Sequence, residues 1–175
     1  PFAELGPLMA DAWQGVADAH RANVLHRDLK PRNIFLQPGK QRENAVLLDF
    51  GVSKVLQDVR ASQEPSITAY DGTVGSFAYM APEQIRGAAR VDERADVYGL
   101  ASVAFRALTG RLPFEGLSAR MVASLKLDNP PPTLEQATGF RWPVVLEEFF
   151  GIGLSRNPDD RFASADEAKA MDGSM

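Results

Sequence analysis

His26-Arg27-Asp28-Leu29-Lys30-Pro31-Arg32-Asn33 is the stretch whose reading decides the fold. It crowds an acid, a lysine and an amide into a few positions around a proline. Taken singly these residues are ordinary: a lone Asp or Asn beside a turn most often caps it, and Lys30 alone is a solvated side chain. Downstream, Asn33-Ile34-Phe35-Leu36 and Ala45-Val46-Leu47-Leu48 are short apolar runs of strand length, separated by the turn signal Gln37-Pro38-Gly39-Lys40. A hairpin follows, with Lys40 to Asn44 as a solvated loop. It sets Asn33 at the start of one strand and Asp49 at the end of the other, so two distant oxygen donors meet at one edge. Upstream, Met9, Ala12, Trp13, Val16 and Ala19 fall at helical spacing, so roughly residues 7–22 read as an amphipathic helix. Pro7 suits its first turn, and Asn23 suits a left-handed stop. Trp13 reads as core packing and His20 as a solvated helix end.

Two further blocks follow in order, Asp49-Phe50-Gly51 and Ala81-Pro82-Glu83. A tripeptide arises easily by chance, whereas eight consecutive positions followed by two ordered blocks do not. Together they resemble the catalytic loop, metal-binding loop and activation-segment end of a protein kinase. The Met80-Ala81-Pro82-Glu83-Gln84 and Arg161-Phe162-Ala163-Ser164-Ala165 wording is similar to bacterial kinases of the eukaryotic type. The implied fold is mainly α with a short β-hairpin, the C-terminal lobe of a Ser/Thr protein kinase, with residues 1–175 as that one lobe. The family's glycine-rich loop and Val-Ala-Ile-Lys strand have no counterpart here. The chain therefore reads as a piece whose missing partner is the N-lobe of the same kinase. Alone it is expected to bind nucleotide weakly and to be inactive.

The resemblance implies roles residue by residue. Asp28 matches the base that orients the acceptor hydroxyl, and Lys30 the cation that neutralises the transferring γ-phosphate of ATP. That lysine goes with Ser/Thr specificity in this family. Asn33 and Asp49 match the ligands of Mg²⁺, which favours hard oxygen donors. Glu83 matches the glutamate that pairs with a late arginine, here Arg161. Asp96 matches the aspartate that holds the catalytic-loop backbone; on sequence alone it is an ordinary helix-start charge. Ser76 stands where the family usually has Thr and keeps a hydroxyl for Asp28 and Lys30. Arg27 matches the arginine that senses a phosphorylated activation segment, with Thr68 and Thr73 as acceptors closest to the Gly75-Ser76 anchor. Protein substrates carrying Ser or Thr hydroxyls are the implied partners. The alternative is a truncated or degenerate lobe that binds a partner without catalysis.

Composition agrees with a single globular unit. A chain of 175 residues with 45 % hydrophobic and 24 % charged content suits one domain with a sizeable core. A net charge of −4 gives no basic excess for nucleic acid, and the absence of cysteine removes disulfides and thiolate metal sites. No apolar run approaches the roughly 20 residues that span a bilayer. This segment is expected to touch no membrane and to be cytoplasmic, whatever anchors the whole protein.

The rest of the chain is helical in pattern. Val52 to Ala81 lacks periodicity and reads as a long functional loop. Val97, Leu100, Ala101, Ala104, Phe105 and Leu108 form an i, i+3, i+4 series ending at Gly110, expected to be the most buried helix. Ser118 caps a shorter helix carrying Met121, Val122 and Leu125. Asn129-Pro130-Pro131-Pro132 reads as a rigid connector. Pro143 opens a helix with Leu146, Phe149, Phe150 and Leu154, and Ser164 with Glu167 makes a capping box for a last one.

Overall fold

The computed structural model describes residues 2–50, 74–87 and 91–172. Helix α1 runs Phe2–Arg21, and Asn23 ends the turn after it in the left-handed region at φ 58°. The helix starts earlier than its apolar pattern announces, so Pro7 lies inside it rather than in its first turn. The apolar stripe begins only at Met9, which hid the preceding residues. Met9, Ala12, Trp13, Val16 and Ala17 are buried, and the Trp13 ring meets Phe149 edge-on at 6.0 Å.

A 3₁₀ turn, Pro31–Asn33, leads into the antiparallel hairpin of β1 (Ile34–Pro38) and β2 (Glu43–Leu47), with Ile34 opposite Leu47 and Leu36 opposite Ala45. Glu43 and Asn44 belong to the second strand, so the solvated loop is shorter than the polarity of Lys40–Asn44 implied. Asp11 of α1 fixes the hairpin. Its carboxylate accepts from Arg42 Nη1 and Nη2 at 2.6 and 2.8 Å and from the Ala45 amide at 3.2 Å. The guanidinium holds the Asp11 carboxyl below its ordinary range. Gly15 lets the hairpin close on α1, since a Cβ there would sit 3.2 Å from Leu47 Cδ1.

Short helices α2 (Val74–Phe77) and α3 (Pro82–Ile85) flank the segment that carries Tyr79 and Met80. The single turn of α2 falls within the stretch read as irregular, too short to show a period. Helix α4 (Arg94–Thr109) follows, with every residue from Ala95 to Phe105 buried, and Gly110 ends it at φ 73°. Burial on all sides is the reason its apolar series looked so unbroken. Helix α5 (Ala119–Asp128) is capped by Ser118, whose Oγ accepts from the Met121 amide. Helix α6 (Leu134–Thr138) follows the Asn129–Pro132 connector in a stretch to which the residue pattern assigned no element; its signal was the capping box Thr133-x-x-Gln136. Helix α7 (Val144–Gly153) follows Pro143. Helix α8 (Ala165–Asp172) has the Glu167 amide on Ser164 Oγ, while the Glu167 carboxylate takes the Ala163 amide.

One apolar core joins α1, α4, α6, α7 and α8, and a smaller cluster of Phe77, Met80, Ile85 and Ala123 lies apart. This is the mainly helical C-lobe architecture with its two-stranded sheet. The two glycines of α7 make the packing testable. A Cβ on Gly151 meets nothing within 4 Å, whereas one on Gly153 would sit 3.0 Å from Ala101 Cβ of α4. Gly151→Ala is expected to stabilise by about 1 kcal/mol through helix propensity. Gly153→Ala is expected to destabilise, because overpacking of about 1–3 kcal/mol outweighs that gain. Urea unfolding of both variants checks the opposite signs.

Candidate active site

The loop between α1 and β1 is held from below by Asp96, in the first turn of α4 and only 2 % exposed. Its Oδ2 accepts from the His26 amide at 2.8 Å and from His20 Nε2 at 2.9 Å; its Oδ1 accepts from the Arg27 amide at 2.7 Å. A buried carboxylate needs such donors, and three of them offset its desolvation. Arg27 sits in the left-handed region at φ 61°, a conformation costing on the order of 1–2 kcal/mol for a residue with a side chain. The Asp96 bond to its amide holds it there. His20 thus corrects the reading of a solvated helix end: its side chain is enclosed because its ring reaches inward to Asp96.

His26 does a second piece of positioning that the sequence did not reveal. Its Nδ1 accepts from the Asp28 amide at 3.4 Å, so the network assigns the proton to Nε2, which donates to the Leu48 carbonyl at 2.9 Å. The ring also packs against Phe50 at 4.9 Å. One buried imidazole therefore ties the loop to the far end of the hairpin. Gln84 ties it to the other flank, donating to the Arg27 carbonyl at 3.1 Å and accepting from the Ala81 amide at 2.9 Å.

Within this frame Lys30 Nζ lies 2.6 Å from Asp28 Oδ2. The buried amide of Asn33 donates from Nδ2 to the Asp28 carbonyl at 2.8 Å, which turns its oxygen away from that bond. The Leu48 amide donates to the Asn33 carbonyl at 2.8 Å, so the hairpin brings Asp49 to the edge that carries Asn33. Asp49 is exposed and left-handed at φ 55°. Among the described residues no three His, Cys, Asp or Glu side chains cluster to cage a metal. An amide oxygen and one carboxylate are instead the sparse hard-oxygen set that suits Mg²⁺ sharing its shell with phosphate and water. Arg27, Asp28, Leu29, Tyr79, Met80 and Gln84 line one small cleft. Thr68 and Thr73 lie outside the described residues, as does the Ser76 side chain.

Behind the cleft, Glu83 and Arg161 meet end to end, with Nη1–Oε1 at 2.7 Å and Nη2–Oε2 at 2.8 Å. Arg161 spends its remaining donors on the carbonyls of Ser155, Arg94 and Arg156. The Tyr98 ring carries two cations, Arg161 and Lys126, each 4.9 Å from its centroid. Lys126 is 1 % exposed and donates to the carbonyls of Ala78 and Met80, both at 2.8 Å. Burial, with Arg161 adding repulsion, pushes its amine down to about 7. Burial pushes the Tyr98 phenol up. Nothing in the sequence marks Lys126, which stands in α5 as a polar residue between apolar neighbours.

The protein kinase domain family matches residues 3–168 of this chain. The serine/threonine-protein kinase pkn3 of Myxococcus xanthus is 36 % identical over 165 residues, covering 93 % of this chain and 30 % of that protein. Pkn1 of the same organism is 43 % identical over 165 residues, covering 90 % of this chain and 22 % of that protein. PknB of Mycolicibacterium smegmatis is 37 % identical over 168 residues, covering 93 % of this chain and 25 % of that protein. The lobe and its loops are those of a eukaryotic-type kinase, and the chain belongs to the protein kinase family, with bacterial serine/threonine kinases among its relatives. It spans less than a third of the length of each of these three relatives.

Two outcomes follow from the buried ion pair and its neighbour. Arg161→Ala strands the Glu83 carboxylate and is expected to cost about 3–5 kcal/mol in thermal unfolding. For Lys126, the unfolded amine titrates near 10.5 and the folded one near 7, so between these values the unfolded chain binds more protons. Stability of the natural protein relative to Lys126→Met should therefore rise as pH is raised from about 7 towards 10. Paired unfolding curves across that range check the sign.

Proposed function

We propose that residues 1–175 form the C-lobe of a kinase that transfers the γ-phosphoryl group of ATP to a Ser or Thr hydroxyl of a protein. The observation that carries this reading is the joint placement of Asp28, Lys30 and Asn33 on one braced loop, with Lys30 Nζ 2.6 Å from Asp28 Oδ2 and Asn33 Nδ2 2.8 Å from the Asp28 carbonyl. Phosphoryl transfer asks a protein for positioning, charge neutralisation and a base near the attacking oxygen. Asp28 orients the acceptor hydroxyl and takes its proton. Lys30, held against that carboxylate, offers its positive charge to the transferring group. Asn33 through its amide oxygen and Asp49 through its carboxylate would hold Mg²⁺, which supplies charge neutralisation at the nucleotide phosphates when bound.

The relatives are named as serine/threonine kinases, which favours hydroxyl acceptors of that kind for this chain. Arg27 belongs to the same reading as a receiver for phosphate on Thr68 or Thr73. A guanidinium makes bidentate bonds to such a group. No described helix is long and apolar enough to cross a membrane.

In the full-length protein, Asp28→Asn keeps the shape of the side chain but removes the base. Transfer of ³²P from ATP to casein is expected to fall at least about 100-fold while the variant stays folded. Undiminished transfer would overturn the assignment of Asp28 and with it the proposed reaction.

A further inference from the structure

We propose that Lys126 is a positioning residue for the acceptor side of this site: from α5 it fixes the backbone at Ala78 and Met80, the wall beside Asp28. The inference rests on the proposed phosphoryl transfer. Tyr79 and Met80 line the same cleft as Asp28. Their segment is the turn that leaves α2, and the Ala78 and Met80 carbonyls both accept from Lys126 Nζ at 2.8 Å. The Tyr79 side chain is held separately, its hydroxyl accepting from Arg106 Nη1 at 2.5 Å.

The apolar packing of this wall is divided: Ala78, Tyr79 and Ala81 belong to the main core, while Met80 faces a smaller cluster. Phe77, Met80 and Ile85 cluster with Ala123 of α5, and with Ala119 and Leu127 beside it. Met80 and its flanking residues thus pack on α5, whereas the core residues of the wall say nothing about where its carbonyls point. Lys126 supplies the directed polar tie to those carbonyls. Its amine binds the wall through two carbonyls and at the same time lies over the Tyr98 ring of α4. Helix α4 in turn carries Asp96, which holds the Asp28 loop. Burying an amine is costly, so a site that needed only packing would be filled more cheaply by an apolar side chain. The charged groups facing it are Arg161 and Glu83, already bound to each other. That leaves Lys126 to the two carbonyls and the ring. An amine keeps at least two N–H donors whether protonated or not, enough for both carbonyls.

The test uses the full-length protein with ATP and casein as substrates. Lys126→Met keeps the side-chain shape and removes the donors. It is expected to raise the KM for casein about tenfold, as loss of two buried hydrogen bonds implies, with the KM for ATP changed by less than about twofold. Lys126→Gln, which retains two N–H donors, is expected to fall between the two. It serves as the measured variant if the Met protein does not fold by circular dichroism. A folded variant whose casein KM is unchanged overturns the proposal. So does one in which the ATP and casein constants move together, as a purely structural role requires. Asp28→Asn, assayed alongside, separates the cases: if it retains transfer, the reaction itself is wrong and the Lys126 role falls with it. If it is inactive while Lys126→Met behaves as the natural protein, only the Lys126 role is lost.

Discussion

The carboxylate of Asp96 is the constraint on which the rest of the lobe depends. It is buried at the start of the most enclosed helix, and an ionised group there is tolerable only with its lone pairs filled. The donors come from two backbone amides of the loop after α1 and from the His20 ring at the end of α1, residues about 70 positions earlier in the chain. One group thus fixes α1, the loop and α4 relative to each other. It also holds Arg27 in a backbone conformation that side chains resist. Everything placed on that loop, Asp28 and Lys30 above all, inherits its position from this bond set.

A second polar assembly does for the far side what Asp96 does for the loop. Glu83, Arg161, Tyr98 and Lys126 come from α3, the turn before α8, α4 and α5, and each is largely buried. The guanidinium has all its donor directions used, on one carboxylate and three carbonyls, which is the condition under which a buried ion pair is not a liability. The guanidinium and the carboxylate balance one another, and the Lys126 amine, which burial pushes down to about 7, shares the face of Tyr98 with the guanidinium. Such a cluster adds little net stability over an apolar one. Its gain is geometric: bidentate and carbonyl-directed bonds admit one arrangement where greasy contacts admit several.

Much of the architecture was legible because it follows from local periodicity. The hairpin, the buried α4 ending at Gly110 and the Ser118 cap all appear where the residue pattern set them. The elements that escaped were short. α2 and α6 are one turn or little more, below the length at which a 3.6-residue period can be seen, although Thr133 and Gln136 did spell a capping box. The start of α1 was hidden because its first residues precede the apolar stripe and include Pro7.

By itself the sequence determined the family, the order of the loops and the chemical types at Asp28, Lys30, Asn33 and Asp49. The first three share one loop and Asp49 ends the hairpin that follows it, and a chain records its own neighbours. Only the tertiary structure decided what holds them. His20 and Asp96 are 76 positions apart, Glu83 and Arg161 78, and Lys126 lies 46 and 48 positions from the carbonyls it binds. The Glu83–Arg161 and Asp96 pairings were readable only through likeness to the family. Those of His20, His26, Gln84 and Lys126 were not readable at all. A polar residue's partner is fixed by which surfaces the apolar core brings together, and nothing at its own position in the chain encodes that.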